Sequence, residues 1–315
     1  MSGAQIKAIE FVLPNFKQNT KEFSRFNPDW NIEKIIDTTG IKNIFISNNK
    51  EDIISLSLKS ASKVLKKFPK KKIDFLIFVT QTSNLKFPSA SCVMQNLLKL
   101  RNDILAFDVN MGCSGYIYAL NLAKNIILGE KCKNGLIICS DVYTKFIGKN
   151  NRSCRPIFSD ASSATIVSKS KKGSIKDFVF GTDGSGAKDL VLYENSKEMY
   201  MNGSRVALFT FKRIPNSIHK LLKKGNKKLH QIDKFIFHQA SKYVLNNLYR
   251  VLKIEKDKKF DNYSRIGNTV SSSIPIALKI ASKQKKIKHN DHIVLSGFGV
   301  GLSWGAVIVK WKKIK

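Results

Sequence analysis

The amino-acid sequence predicts an α/β fold made of two related halves, and three observations carry the prediction. Short apolar runs of strand length alternate with longer segments of helical periodicity, the rhythm of helices layered on a partly parallel sheet. Blocks of the first half recur in the same order in the second. With 315 residues, 43% of them hydrophobic, the chain can bury a substantial core in one large or two medium units.

Taken in order, Gln5 to Leu13 alternates imperfectly and stops at Pro14, as a strand does. Residues 15–45 are polar and mixed, and hold Trp30 and a turn-like Thr38-Thr39-Gly40. Ile53 to Lys67 reads as a helix whose buried side carries Ile54, Leu56, Leu58, Ala61, Val64 and Leu65. A buried strand at Ile73 to Thr80 and a helix at Ser89 to Leu100 follow. Ile104 to Phe107 is a short strand, and Tyr116 to Leu128 is apolar nearly all round at helical length, with Gly129 as its stop signal. Strands at Gly135 to Ser140 and Ala164 to Ser168 flank a loop rich in Asn, Arg and Ser at 148–156.

The second half echoes the first. Ile73-Asp74-Phe75-Leu76-Ile77-Phe78-Val79-Thr80-Gln81-Thr82-Ser83 matches Ile232-Asp233-Lys234-Phe235-Ile236-Phe237-His238-Gln239-Ala240-Ser241. Gly112-Cys113 with Ala119-Leu120 matches Gly267-Asn268 with Ala277-Leu278, and the strand pair around Gly135 to Ser168 matches His292 to Lys310. Three blocks in one order are harder to attribute to chance than any one of them. The expected division is therefore 1–170 and 171–315, joined near Lys169-Ser170-Lys171-Lys172-Gly173.

Composition narrows the function classes. A formal charge of +32 would attract nucleic acid, an anionic membrane or an acidic protein. Yet only eight basic residues are Arg against 47 Lys, and the Lys is spread along the chain among abundant Asn and Ile, as an AT-rich coding sequence would produce. Base-reading Arg clusters and interleaved basic and aromatic runs are absent, so specific nucleic-acid recognition is not expected, while attraction to a phosphorylated or acidic partner remains. The five cysteines form no CxxC pairs, and the HxxH of His289 and His292 has no further ligand nearby, so neither a disulfide framework nor a metal site is expected. The start lacks a signal-peptide pattern and no apolar run approaches the roughly 18 residues of a membrane span, so the expected location is cytoplasmic.

Cys113 falls where a strand turns into a helix. Unpaired backbone N–H groups and the positive end of the helix dipole there favour a thiolate, the form in which cysteine is nucleophilic. Alone, a buried cysteine more often just packs. Likewise His238, directly after Phe235-Ile236-Phe237, could be a satisfied structural histidine, and Asn268 a helix cap. Their matching positions in the two halves change the weighing, because pseudo-symmetry would set Cys113 and Asn268 at corresponding helix starts beside the strand that ends at His238. A nucleophile, an imidazole and a carboxamide meeting at one junction suffice for acyl transfer through a thioester.

These residues, in their order, carry a resemblance. Asp108-Val109 with Gly112-Cys113-Ser114-Gly115, Phe237-His238-Gln239-Ala240-Ser241, Gly267-Asn268-Thr269 with Ser271-Ser272-Ser273-Ile274-Pro275, and Gly297-Phe298-Gly299-Val300-Gly301-Leu302-Ser303-Trp304-Gly305 resemble β-ketoacyl-acyl-carrier-protein synthase III of the thiolase superfamily. Phe87-Pro88-Ser89-Ala90-Ser91-Cys92, Thr182-Asp183-Gly184-Ser185-Gly186-Ala187 and Met201-Asn202-Gly203 extend the likeness along the chain. The resemblance implies a thiolase-like fold, duplicated α/β halves in an α/β/α/β/α sandwich, and Cys113, His238 and Asn268 as catalytic residues. It further implies acylation of Cys113 by an acyl-CoA, an oxyanion hole of the Cys113 and Val300 backbone N–H groups, and decarboxylative condensation with malonyl-acyl-carrier protein. No cofactor beyond the CoA thioester substrate is implied. By the same resemblance the enzyme is a homodimer in which Phe87 helps close the partner's acyl pocket, Arg152 contacts the CoA nucleotide, and Lys212, Arg213 and Lys242 are candidates for docking the acidic carrier protein.

The chain departs from that pattern at Thr38, where the family usually has Arg, at Ser241, which replaces Asn, at Tyr243, where a carrier-binding Arg is common, and in the spacing of Trp30. These positions touch donor and carrier recognition, and point to a specialised synthase. Two other readings share the sequence: transfer of the acyl group from Cys113 to an amine or hydroxyl without condensation, and a basic binding protein on an inactive thiolase scaffold. The glycine-rich Gly297 to Gly301 is not a dinucleotide loop, since a strand follows it where a helix would have to bind the pyrophosphate.

Overall fold

A computed structural model describes residues 3–196 and 198–314. The first half runs β1 (Gly3–Val12), β2 (Phe16–Asn19), α1 (Ile32–Thr39), β3 (Asn43–Ile46), α2 (Ile53–Leu65), β4 (Phe75–Val79), α3 (Ala90–Leu97), β5 (Leu105–Val109), α4 (Gly115–Gly129), β6 (Asn134–Asp141) and β7 (Ala161–Ser170). The second runs β8 (Ile175–Thr182), β9 (Leu190–Val191), β10 (Tyr200–Met201), α5 (Gly203–Lys224), β11 (Lys234–Phe237), α6 (Lys242–Val251), α7 (Tyr263–Ile266), α8 (Ser273–Lys283), β12 (His292–Gly299) and β13 (Ser303–Lys310).

Two mixed sheets form, in the orders β1-β7-β6-β4-β5 and β8-β13-β12-β11. Their pairings correspond: β4 and β6 are parallel as β11 and β12 are, and β6 and β7 are antiparallel as β12 and β13 are. The fifth strand of the first sheet, β5, pairs with β4 from Phe75↔Leu105 to Val79↔Val109. In the second sheet its counterpart shrinks to a single parallel bridge, Phe235↔Lys259.

Packing follows from hydrophobicity. The helix α4 is apolar on most of its surface because it touches strands of both sheets, and α8 lies beside it in the same layer. Around them Ile117, Leu120, Ile127, Ile274, Leu278, Leu295 and Val307 form a fully buried core. The amphipathic α2 and α3 cover the outer face of the first sheet, and α5 and α6 that of the second. The result is the expected α/β/α/β/α sandwich. Helix ends are shorter than the sequence suggests: α2 stops at Leu65, where Ser62 and Val64 carbonyls take the Lys66 N–H, and α3 stops at Leu97. The polar and mixed residues 15–45 belong to the small β2/β3 ladder and α1; of the turn-like Thr38-Thr39-Gly40, the threonines end α1 and the left-handed Gly40 closes it. Among the described residues no helix is long and apolar enough to cross a membrane.

Candidate active site

Cys113 lies in the turn between β5 and α4, 4% exposed. Two glycines of β12 let this turn seat against the second sheet. A Cβ on Gly297 would fall 2.5 Å from the Cys113 carbonyl oxygen, and one on Gly299 2.9 Å from Cys113 Sγ. The start of α4 is fastened to the second half by Ser114 Oγ and Ser303 Oγ, 2.8 Å apart.

The sulfur meets two opposing influences. Burial, with the negative charge of Asp141, pushes the thiol up to about 12, while the backbone N–H groups of Cys113 and Val300 at Sγ pull the other way. The thiolate expected from the position at the start of a helix is thus not the resting form: desolvation outweighs the N–H groups, and the group rests as a thiol. Both N–H groups of the expected oxyanion pair do face the sulfur.

His238 follows the last residue of β11, is 2% exposed, and is anchored by its own N–H on the Ser296 carbonyl at 2.8 Å. Its Nδ1 is 2.7 Å from Ser273 Oγ, at the first turn of α8, and its ring meets Phe298 edge-on at 5.6 Å. Burial lowers its pKa to about 3, so the imidazole is neutral at physiological pH.

Asn268 is not a helix cap; Ser272 holds that place before α8. Its Oδ1 accepts the Val270 N–H at 2.9 Å, which commits the oxygen and leaves the carboxamide NH₂ to act as donor. Main-chain bonds stitch this turn to the first half, with Asn268 N–H donating to Ile157 O and Ser159 N–H to Asn268 O, both at 2.9 Å. Val270, a β-branched residue, is held at φ 51°, a conformation worth about 1–3 kcal/mol of strain.

Cys113, His238 and Asn268 all line one cavity of about 740 Å³. It opens between α1, α5 and α6, past Thr38, Phe211 and Tyr243, with Leu208 and Tyr243 exposed at 67% and 51%. Trp30 lies elsewhere, packed on Phe23 at 6.0 Å. The remaining candidates do not line the cavity. Arg152 precedes the lining residue Ser153; Lys212 and Arg213 follow Phe211; Lys242 separates Ser241 from Tyr243. Arg152 and Lys212 are exposed, whereas Arg213 is held by Asp183 at 2.7 Å beside the Trp304 ring, and Lys242 pairs with Asp37 at 2.6 Å. Phe87 is 86% exposed and outside the cavity of its own chain.

Three neighbours escaped the sequence reading. Ser273 as the Nδ1 partner and Gly299 behind the sulfur stood only as parts of longer motifs, and Asp141 left no signal beyond a polar residue at a strand end.

Comparison with known proteins points to one family. Residues 107–184 match the profile described as 3-oxoacyl-acyl-carrier-protein (ACP) synthase III, and residues 222–311 its C-terminal profile. The chain is 32% identical over 303 residues to the β-ketoacyl-acyl-carrier-protein synthase III of Clostridium novyi, covering 89% of this chain and 93% of that one. Two crystal structures of 3-oxoacyl-acyl-carrier-protein synthase III superpose well, each at 31% identity over 98% of this chain and 100% of the other. One has a TM-score of 0.94, and the other, from Aquifex aeolicus, 0.93. The chain belongs to the β-ketoacyl-acyl-carrier-protein synthase III family.

Proposed function

We propose that the cavity runs a two-step condensation in which Cys113 first takes an acyl group from acyl-CoA and then passes it to malonyl-acyl-carrier protein. The observation that carries this reading is the shared cavity of Cys113, His238 and Asn268, with the Asn268 oxygen already occupied. In the first step Sγ attacks the thioester carbonyl, the C–S bond to CoA breaks, and the thiol proton ends on the departing CoA. The Cys113 and Val300 N–H groups receive the oxyanion, and together with the α4 N-terminus supply the stabilisation a buried thiol needs as its charge develops.

In the second step malonyl thioester loses CO₂ and negative charge gathers on the thioester oxygen. A buried neutral imidazole suits this step. When Ser273 O–H donates to Nδ1, the ring hydrogen sits on Nε2, and Nε2–H joins the Asn268 NH₂ as a second donor to the enolate. The enolate carbon attacks acyl-Cys113, the Cys113 sulfur leaves and takes a proton, and 3-oxoacyl-acyl-carrier protein departs. Both steps balance without an electron donor or acceptor.

Exposed Arg152, next to the lining residue Ser153, suits the CoA phosphates, and Lys212 an acidic carrier; Arg213 and Lys242, already paired with Asp183 and Asp37, contribute less to docking. A homodimer is supported by β5, an edge strand with Leu105 49% exposed, and by α3, which packs on it and carries exposed Leu97, with exposed Phe87 three residues before its start. The test is intact-mass measurement after exposure to a panel of acyl-CoAs, followed by malonyl-acyl-carrier protein. An acyl adduct absent in Cys113→Ala, CO₂ release and a 3-oxoacyl product are expected. Transfer of the acyl group to an amine or hydroxyl without malonyl consumption would overturn the reading.

A further inference from the structure

Asp141, the last residue of β6, is completely buried, and among the described residues no cation pairs with it. Its two oxygens divide their work between the halves of the chain. Oδ1 accepts the Gln81 N–H at 2.9 Å, with the Thr80 and Thr82 hydroxyls at 3.4 and 3.3 Å, all in the segment leaving β4. Oδ2 accepts the Ser271 N–H at 3.3 Å and the Ser271 hydroxyl, three residues past Asn268. The first group reaches the nucleophile, since Gln81 Oε1 would lie 2.4 Å from a Cβ on Gly112, next to Cys113, and accepts the Tyr143 hydroxyl at 2.8 Å. The second reaches the donor side, because Ser271 follows the strained Val270 whose N–H fixes Asn268 Oδ1.

A carboxylate buried without a counter-ion is costly unless its hydrogen bonds do something a neutral residue could not. Neutral pins already hold the turn that carries Ser271 to the first sheet, in Ser272 Oγ donating to Cys139 O at 2.7 Å and Ser163 Oγ to Ser272 Oγ at 3.1 Å. What the carboxylate adds is a strong, two-sided clamp at one point. We propose that Asp141 is a positioning residue for the condensation step, holding the Asn268 turn in register with the Cys113 turn through Ser271. The inference rests on the two-step reading above and assigns the clamp to its second step.

The sign of the effect separates this role from simple support of the fold. In Asp141→Asn the remaining carbonyl oxygen still accepts the Gln81 N–H, so the Cys113 side keeps its support; with the charge that opposes Cys113 ionisation gone, acylation is as fast or faster, while the loosened Asn268 turn slows decarboxylation. A general loss of structure would slow both.

The experiment measures the two half-reactions separately in wild type, Asp141→Asn and the milder Ser271→Ala, with acylation by rapid-quench mass and condensation by CO₂ release from the pre-acylated enzyme. Condensation should fall about 10–100-fold in Asp141→Asn and about 3–10-fold in Ser271→Ala, with acylation undiminished. Equal loss in both half-reactions, or no loss in either, would overturn the proposal. A wild-type enzyme that forms no acyl adduct or releases no CO₂ would instead overturn the two-step reading itself.

Discussion

The two strand-to-helix turns at the centre of the molecule start from the same plan and end with different chemistry. In the first half β5 is a full strand, so the chain arrives at α4 extended, and Cys113 is delivered with its own N–H and that of Val300 at the sulfur. In the second half the equivalent strand is one bridge at Lys259, and the residues released from the ladder form α7 and the turn through Asn268 to Ser272. That turn carries φ 81° at Gly267 and φ 51° at Val270, and offers a carboxamide instead of a nucleophile. In the proposed mechanism, one frame used twice supplies the attacking atom from the half with the full strand and the hydrogen-bond donors from the half without it. Backbone that is not committed to a ladder can be bent into a site for donors, and the half with only the Lys259 bridge has such backbone between α7 and α8.

The largest effects should separate the Cys113 turn from the Asn268 turn. Cys113→Ala is expected to abolish the acyl adduct altogether. Asn268→Ala should leave adduct formation intact and lower condensation about 10²–10³-fold, the worth of a donor aimed at developing charge. Adduct mass and CO₂ release, measured side by side, decide it. If Asn268→Ala also blocks acylation, the division of labour between the halves is wrong.

Acid stability gives a second contrast, smaller and of opposite sign in the two halves. His238 has its folded-state pKa lowered to about 3, so below pH 6.5 the unfolded chain takes up a proton that the folded one refuses, and stability falls as pH falls through that window. Asp141 is raised to about 6, so between 3.8 and 6 the folded chain holds a proton the unfolded one has released, and stability falls as pH rises. The two oppose each other near pH 4.5. His238→Asn should therefore gain stability relative to wild type on going from pH 7 to 4.5, on the order of 3 kcal/mol. Urea midpoints at the two pH values test this, and parallel wild-type and variant curves would refute it.

How much of this was legible in the sequence follows from the range of the interactions. The helix α4 could be read because a helix between two sheets must be apolar on nearly every side, and β4 and β11 because strands buried on both faces are continuous apolar runs. The repeated blocks brought Cys113 and Asn268 into correspondence before any coordinates, since the same frame requires the same pattern. Apart from the turn at Gly40, residues 15–45 were not legible: Phe16 pairs with Ile46, and the Thr20 hydroxyl donates to Ile41 O at 2.8 Å, contacts that local periodicity does not encode. Asp141 was invisible for the same reason, as its partners lie 60 and 130 residues away. Nor could the resting thiol of Cys113 be read, because the start of a helix shows in the sequence and the degree of burial does not.

Gly299→Ala probes the junction from the second half. The added methyl carbon would stand 2.9 Å from both Cβ and Sγ of Cys113, closer than packed atoms come, so the Cys113 turn must shift. Overpacking of this kind amounts to about 1–3 kcal/mol, and because it displaces the sulfur from the Val300 N–H it should appear as about 10–100-fold slower acylation. Condensation from whatever acyl-enzyme forms should suffer less. A variant that acylates at the wild-type rate would show that β12 does not set the position of the nucleophile.

The smallest effect should come from Ser273→Ala, and it is the most specific. The hydroxyl is the only side-chain partner of His238 Nδ1 among the described residues, and burial has already removed the charged form of the ring. Its loss leaves the neutral imidazole free to place its hydrogen on either nitrogen, so part of the population no longer offers Nε2–H to the enolate. The hydrogen bond is worth about 0.5–1.5 kcal/mol, which corresponds to about 2–10-fold slower CO₂ release with unchanged acylation. Ser273→Thr, which keeps the hydroxyl, should recover most of the rate. Recovery by Thr but not by Val, which matches Thr in shape, would assign the effect to the hydrogen bond. Equal recovery by both would assign it to packing at the start of α8, and the second half would then contribute Asn268 alone as a fixed donor.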